Sequence, residues 1–134
     1  MAIKGLSKEV QDVMEEQKVF PFATASKDGI PNVAPIGFLF EGRDGSIWVI
    51  DNYMDKSIEN IRENPKASFY AVRSGGESYQ VKCSVSIEDS GEDYEFAVDI
   101  AHKKKEAFPA KTLLKLTVDD VYYVTPGEHA GKRL

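Results

Sequence analysis

Residues 47 to 65 place a short apolar segment directly before a helical segment. The first four, Ile47–Ile50, are β-branched or aromatic, which is typical of a strand buried on both faces. A helix is predicted to begin near Asp55 or Lys56, and Asn64-Pro65 ends it. Because the first backbone N–H groups of a helix have no intrahelical acceptor, this junction is suited to binding an anion.

The first residues of this helix support two interpretations. Lys56 and Ser57 offer an ammonium group and a hydroxyl group, which are common phosphate ligands. The same residues also describe an ordinary strand-to-helix connection with a solvated lysine and a capping serine. Asp55 weighs against an anion, because its carboxylate repels one. Taken alone, the segment favours the ordinary connection.

Composition and charge narrow the class of protein. A chain of 134 residues is the size of one domain, and we expect a single domain over residues 1–134 with a loose tail from about 126. One cysteine excludes an internal disulfide framework, and no segment has the length and apolar character of a membrane span or signal peptide. These features predict a cytoplasmic protein. The net charge of −5 argues against a nucleic-acid partner.

The periodicity of the rest of the chain predicts mostly strands. Residues 79 to 88 alternate apolar and polar side chains, the clearest strand pattern in the sequence. Further strands are predicted at 19–26, 32–41, 47–50, 67–72 and 113–124, and flanking helices at 7–17 and 92–107, the second with Phe96, Ala97, Ile100 and Ala101 inward. This order predicts a mostly β fold with flanking helices, a six-stranded antiparallel barrel that is closed or nearly closed.

Three segments, in this order and spacing, resemble the FMN-binding split-barrel family, also called pyridoxamine 5′-phosphate oxidase-like. They are residues 28–38 (DGIPNVAPIGF), residues 51–68 (DNYMDKSIENIRENPKAS) and residues 80–82 (QVK). The resemblance covers roughly residues 19 to 87. It implies a six-stranded split β-barrel that binds FMN and forms a homodimer, with the flavin at the subunit interface.

The resemblance implies roles for four residues around the helix start. Lys56 and Ser57 match the pair that binds the flavin phosphate in the family. Asp51 and Asn52, at the end of the buried strand, match the positions that contact the ribityl and phosphate region.

The remaining implied cofactor contacts lie on two strands. Ala34, Pro35 and Ile36 match the segment whose backbone lies along the isoalloxazine ring, and Gly37 would allow close approach of the backbone. Gln80 matches the glutamine that reaches the flavin from the other subunit.

Two departures from the family pattern bear on activity. Members that oxidise pyridoxamine phosphate have a basic residue at the position of Ala34, and their Arg- and His-bearing C-terminal motif has no match in residues 122–134. We therefore predict that this protein does not oxidise pyridoxamine phosphate. The resemblance leaves open an FMN-dependent oxidoreductase reduced by NAD(P)H or a protein donor, a reductase that uses the deazaflavin F420, and a flavin-binding module without turnover.

No side chain is predicted to act as a catalytic acid, base or nucleophile. Cys83 belongs to the apolar face of its strand and is interpreted as a core thiol. His102 and His129 have no partner at metal-ligand spacing, so no metal site is predicted. An oligonucleotide-binding barrel matches the strand count, but the scattered basic residues do not supply its basic face.

Overall fold

The structure is a computed structural model that describes all 134 residues. It contains three helices and eight strands. In chain order these are α1 (Lys8–Glu16), β1 (Phe20–Ala25), β2 (Pro31–Ile36), β3 (Leu39–Glu41), β4 (Ile47–Asp51), α2 (Lys56–Glu63), β5 (Lys66–Val72), β6 (Ser78–Glu88), α3 (Glu92–Lys104), β7 (Thr112–Tyr123) and β8 (Lys132–Arg133).

All eight strands belong to one antiparallel sheet. Seven follow the order β2-β1-β5-β6-β7-β4-β3, and β8 pairs with β7. The two end strands, β2 and β3, are consecutive in the chain but do not pair with each other. The sheet therefore curls into a barrel that is split between β2 and β3, as the predicted fold class requires, with eight strands rather than six.

The two additional strands arise at two places in the chain. The single strand predicted at 32–41 is broken at Gly37 and Phe38, because β2 pairs with β1 while β3 pairs with β4 at the far end of the sheet. The tail contains the other additional strand, β8, which pairs with β7. The N–H of Leu134 donates to the carbonyl oxygen of Val121 at 2.8 Å, and Arg133 forms an ion pair with Asp120.

The buried face of the sheet and helix α1 enclose the main hydrophobic core, and a second, smaller core lies between β4 and α3. Val10 and Val13 of α1 are buried in the main core. Ala97 and Ala101 of α3 pack in the second core with Trp48 of β4. Because β4 lies between the two cores, all five of its residues are buried, which confirms the prediction of a strand buried on both faces.

Helix α3 differs from its predicted orientation in two residues. Ile100, expected to point inward, is half-buried and belongs to neither core. Phe96, expected to point inward, is 40% exposed, and the Arg43 guanidinium lies 4.2 Å from its ring centroid. The small side chains of Ala97 and Ala101 bring the helix close to the sheet, and the larger ring lies at the margin of that contact. None of the three helices has the length and apolar character of a membrane-spanning segment.

A charged cluster ties α3 to the sheet. The Nζ atom of Lys115, on β7, lies 2.6 Å from Asp93 Oδ2, 2.6 Å from Glu88 Oε2 and 3.8 Å from Asp44 Oδ2. Partial burial disfavours the Lys115 ammonium, but the hydrogen bonds to Asp93 and Glu88 outweigh it, and the pKa of Lys115 is raised. Hydrogen bonds from Lys115 and Arg43 lower the pKa of Asp93.

Lys115→Met is expected to lower the free energy of unfolding at pH 7 by about 1–2 kcal/mol, because it leaves the carboxylates without their shared cation. The lowered pKa of Asp93 means that its stabilisation is present above its unfolded value of 3.8 and is lost as the pH falls through the folded pKa. Urea unfolding should therefore show that the free energy of unfolding falls less between about pH 5 and pH 3 in the variant than in the wild type. Lys103→Met, on the exposed side of α3, is the control and should follow the wild type. The prediction is contradicted if the free energy of unfolding falls equally with pH in the two variants.

Candidate functional site

A cleft of about 500 Å³ opens between β2, the segment joining β4 to α2, and the end of α3. Its volume is in the usual range for a small-molecule site. Six of the eight sequence-predicted site residues line it, namely Ala34, Pro35, Ile36, Asn52, Lys56 and Ser57. The fold thus brings together two segments, 34–36 and 52–57, that are separate in sequence.

One end of the cleft is the N-terminus of α2. The backbone N–H groups of Lys56, Ser57 and Ile58 have no acceptor in the protein, and the side chain of Asp55, the N-cap residue, makes no capping hydrogen bond. The Lys56 side chain forms no ion pair, so its ammonium is available to a ligand. These groups concentrate positive charge at one point.

A network of polar side chains holds the Ser57 hydroxyl at this end. Ser57 is 4% exposed, and its Oγ accepts a hydrogen bond of 3.1 Å from Asn32 Nδ2. The same Asn32 amide donates to Thr24 Oγ1 at 3.3 Å, and Asn60 Nδ2 donates to Thr24 Oγ1 at 3.1 Å. Since Ser57 Oγ already accepts a hydrogen bond, its own proton remains free to donate into the cleft.

Strand β2 forms one long wall of the cleft. Ile36 is buried, Ala34 is half-buried and Pro35 is exposed. The strand runs from Asn32, beside Ser57, to the turn at Gly37. The cleft therefore extends along the strand from the helix N-terminus for five to six residues, a length of roughly 15–20 Å.

The other end of the cleft is aromatic. The ring of Phe108 lies edge-on to Phe38, with centroids 6.3 Å apart, and to Tyr53, with centroids 6.4 Å apart. Lys104 Nζ lies 4.6 Å from the Phe38 ring centroid and 3.3 Å from the carbonyl oxygen of Gly37. Sequence reasoning missed these residues as site residues, because they lie in turns and at a helix end where no periodicity marks them.

The predicted pair Asp51 and Asn52 shapes the segment before α2. Asp51 is buried and does not line the cleft; its Oδ1 accepts from the N–H of Met54 at 2.9 Å and its Oδ2 from Thr112 Oγ1 at 3.3 Å. Asn52 lines the cleft, and its Oδ1 accepts from the N–H of Ala110 at 2.9 Å. Both side chains hold the β4–α2 connection in place.

Gln80 lies away from the cleft. It is half-buried near the start of β6, paired with Tyr70 on β5 and Tyr122 on β7. Its contact with a flavin therefore requires a second subunit and stays a prediction. Cys83 lies on the same strand and is 1% exposed. Burial raises the pKa of its thiol to about 12, so Cys83 is a core thiol, as predicted.

An open antiparallel barrel with a cleft between its split edge and a helix N-terminus defines the class of split barrels. The family model for pyridoxamine 5′-phosphate oxidase matches residues 6–125. The chain therefore belongs to the pyridoxamine 5′-phosphate oxidase-like family of split barrels.

Known proteins of similar sequence and fold agree with this class. An uncharacterized protein of Methanocaldococcus jannaschii is 31% identical over 98% of this chain and 89% of its own. The crystal structure of HupZ from Group A Streptococcus superposes with a TM-score of 0.79 at 22% identity, covering 94% of this chain and 99% of that one. An FMN-binding protein from Syntrophomonas wolfei has a TM-score of 0.76 at 18% identity, covering 90% and 86%.

Proposed function

We propose that this protein binds FMN in the cleft, with the phosphate at the N-terminus of α2 and the isoalloxazine ring along β2. The observation that carries the proposal is the polarity of the cleft. Free amides, the Lys56 ammonium and the Ser57 hydroxyl converge at one end, while aromatic rings line the other. A cleft of this kind suits an elongated molecule with an anionic group at one end and a flat ring at the other.

Each group of the site has a part in holding such a ligand. The Lys56 ammonium would neutralise phosphate charge, and the three free amides with the Ser57 hydroxyl would donate hydrogen bonds to its oxygens. The aromatic end, with Phe38 and Phe108, would keep water from the ring. The exposed Asp55 carboxylate would repel the phosphate. The Lys56 ammonium, the three free amides and the Ser57 hydroxyl together would outweigh this repulsion.

The bound flavin would supply reversible uptake of electrons or hydride, so we propose a redox role with NAD(P)H or a protein as the donor. The residues of the cleft position the cofactor. No side chain in it is paired with a second group in the manner of a catalytic acid or nucleophile. Position 34 is alanine, where family members that oxidise pyridoxamine phosphate have a basic residue. We therefore do not expect this protein to oxidise pyridoxamine phosphate.

We further propose a homodimer in which the outer face of β5 and β6 contacts the partner's flavin. Gln80 lies on this face beside Tyr70, which is 44% exposed although it is a large aromatic residue. A second subunit would cover that ring and bring the Gln80 amide to the flavin. Light scattering should report a mass of two chains.

The absorption spectrum of the purified protein tests the main proposal. Recombinant protein, or protein incubated with FMN and desalted, should show the visible flavin bands at one FMN per chain. Colourless protein that also fails to take up added FMN would overturn the proposal.

The alternative cofactor is F420, which shares a flat tricyclic ring with FMN. We favour FMN because its phosphate lies at the end of the molecule, and the proposed anion site at the N-terminus of α2 lies at the end of the cleft. Parallel fluorescence titrations with FMN and F420 should give tighter binding for FMN; the reverse order would replace FMN by F420. Stopped-flow mixing with NADH or NADPH then separates an enzyme, which is reduced with saturable kinetics, from a binding module.

A further inference from the structure

The pairing of two prolines determines which way the backbone groups of β2 point. Pro21 of β1 lies opposite Pro35 of β2. Since neither residue has an N–H, this pair occupies a position of the antiparallel ladder without hydrogen bonds. The hairpin that joins the two strands agrees with this assignment. The N–H of Ser26 donates to the carbonyl oxygen of Ile30 at 3.0 Å, so the 26–30 position, five pairs along the ladder, is hydrogen-bonded.

Hydrogen-bonded and non-hydrogen-bonded positions alternate along an antiparallel pair. The even-numbered residues of β2 therefore bond to β1, and residues 31, 33 and 35 direct their backbone groups away from it. Because β2 is an end strand of the sheet, these groups lie on a free edge. That edge has three carbonyl groups but only one N–H, that of Val33, since Pro31 and Pro35 have none.

This free edge faces the cleft. The residues lining the cleft include consecutive members of β2, Asn32 to Ile36, whose side chains point alternately to the two faces of the sheet. Only the edge of the strand is common to both faces. Val33, which carries the single free N–H, is 68% exposed, so the edge is open to a ligand.

We infer that Pro35 makes this edge selective for the reduced form of the flavin ring, an inference that rests on the proposed function. Ring nitrogen N5 accepts a hydrogen bond when the flavin is oxidised. After two electrons from the proposed NAD(P)H or protein donor and one proton from water, N5 would carry a hydrogen atom and act as a donor instead. With the ring along residues 34–36, as proposed above, N5 would lie beside Pro35, where the edge has a carbonyl to accept that hydrogen bond and no N–H to donate one to the oxidised ring. The N–H of Val33 is two residues away, about 7 Å along the strand.

Pro35→Ala restores an N–H at this position, and Pro31→Ala is its matched control. Pro31 lies on the same free edge with the same alternation, but at the phosphate end and outside the cleft. The readout is the midpoint potential of bound FMN, measured by dithionite titration against a reference dye. Pro35→Ala should change the ratio of the affinities for oxidised and reduced FMN by about threefold to tenfold. This change corresponds to a shift of roughly 15–30 mV to more negative potential, at 29.6 mV per tenfold for two electrons. Pro31→Ala should stay at the wild-type potential.

A second measurement uses the wild-type protein, so it does not depend on the folding of a variant. In 5-deaza-FMN a C–H group replaces N5, and the ring can no longer accept a hydrogen bond there. Because the edge offers no donor opposite Pro35, the wild type should bind FMN and 5-deaza-FMN within about threefold of each other. Tryptophan fluorescence quenching and equilibrium dialysis both give the two dissociation constants.

The outcomes separate the two proposals. Tenfold or greater preference for FMN over 5-deaza-FMN, or equal potentials in Pro35→Ala and Pro31→Ala, overturns the inference while FMN binding stands. Failure of the wild type to take up either flavin overturns the proposed function and the inference with it.

Discussion

Replacing both Lys56 and Ser57 by alanine is expected to weaken FMN binding by about 30-fold or more. In the proposed complex each residue would contribute a hydrogen bond to a charged phosphate, worth about 1–3 kcal/mol, and each 1.4 kcal/mol is a factor of ten in affinity. Loss of the Ser57 hydroxyl also leaves the Asn32 amide without one of its two acceptors. The measurement is a fluorescence titration of the apoprotein with FMN.

Riboflavin provides the internal control, because it has the ring and lacks the phosphate. The double variant should bind riboflavin as the wild type does, within about twofold, since the residues that would contact the ring are unchanged. Lys103→Ala removes an exposed lysine that does not line the cleft and should leave FMN binding unchanged. If the double variant weakens FMN and riboflavin equally, the phosphate does not bind at α2.

Gly42→Ala is expected to lower the free energy of unfolding by about 3 kcal/mol, the largest stability effect we predict. A Cβ at position 42 would collide with the Nε1, Cδ1 and Cε2 atoms of Trp48. The indole cannot move aside, because it is fully buried and its Nε1 donates to Asp44 Oδ1 and Ser46 Oγ at 3.0 Å each. Urea unfolding followed by far-UV circular dichroism measures the change.

Gly37→Ala is the matched control for this substitution. Gly37 does not lie in the left-handed region, and the nearest atom to an added Cβ is the Lys18 carbonyl oxygen at 3.9 Å. The control should be at least as stable as the wild type in the absence of ligand, because alanine restricts the unfolded chain. Equal stabilities of the two variants would show that Trp48 is not packed against the turn as described.

Much of the secondary structure was predictable, because local patterns carry it. The alternation from Tyr79 onward predicts β6, and the apolar segment at Ile47 predicts a strand buried on both faces. Helix α1 spans Lys8–Glu16, within the predicted 7–17, and the Ser7 side chain caps it. The start of α2 at Lys56 follows from the polar residues before it.

The helix start marked Lys56 and Ser57 as candidate anion ligands, and the family resemblance supplied the rest of the predicted site. The resemblance names Lys56, Ser57 and the 34–36 segment, and the fold places all of them on one cleft. Asp51 was also named, yet its carboxylate is buried under the β4–α2 connection and does not line the cleft. Gln80 lies elsewhere on the sheet, so its predicted role awaits a test of the dimer.

Local patterns in the chain predict most of its strands, the start of α2, and the lysine and serine at its first turn. These depend on side-chain periodicity and on the few residues around each helix end, so they can be read without the fold. How these elements come together depends on contacts in the folded protein. The break at Gly37, the pairing of Pro21 with Pro35, and the approach of Phe108 to Phe38 join residues that are distant in the chain or belong to different elements. Contacts of this kind depend on how the sheet curls, and no local pattern encodes that curvature.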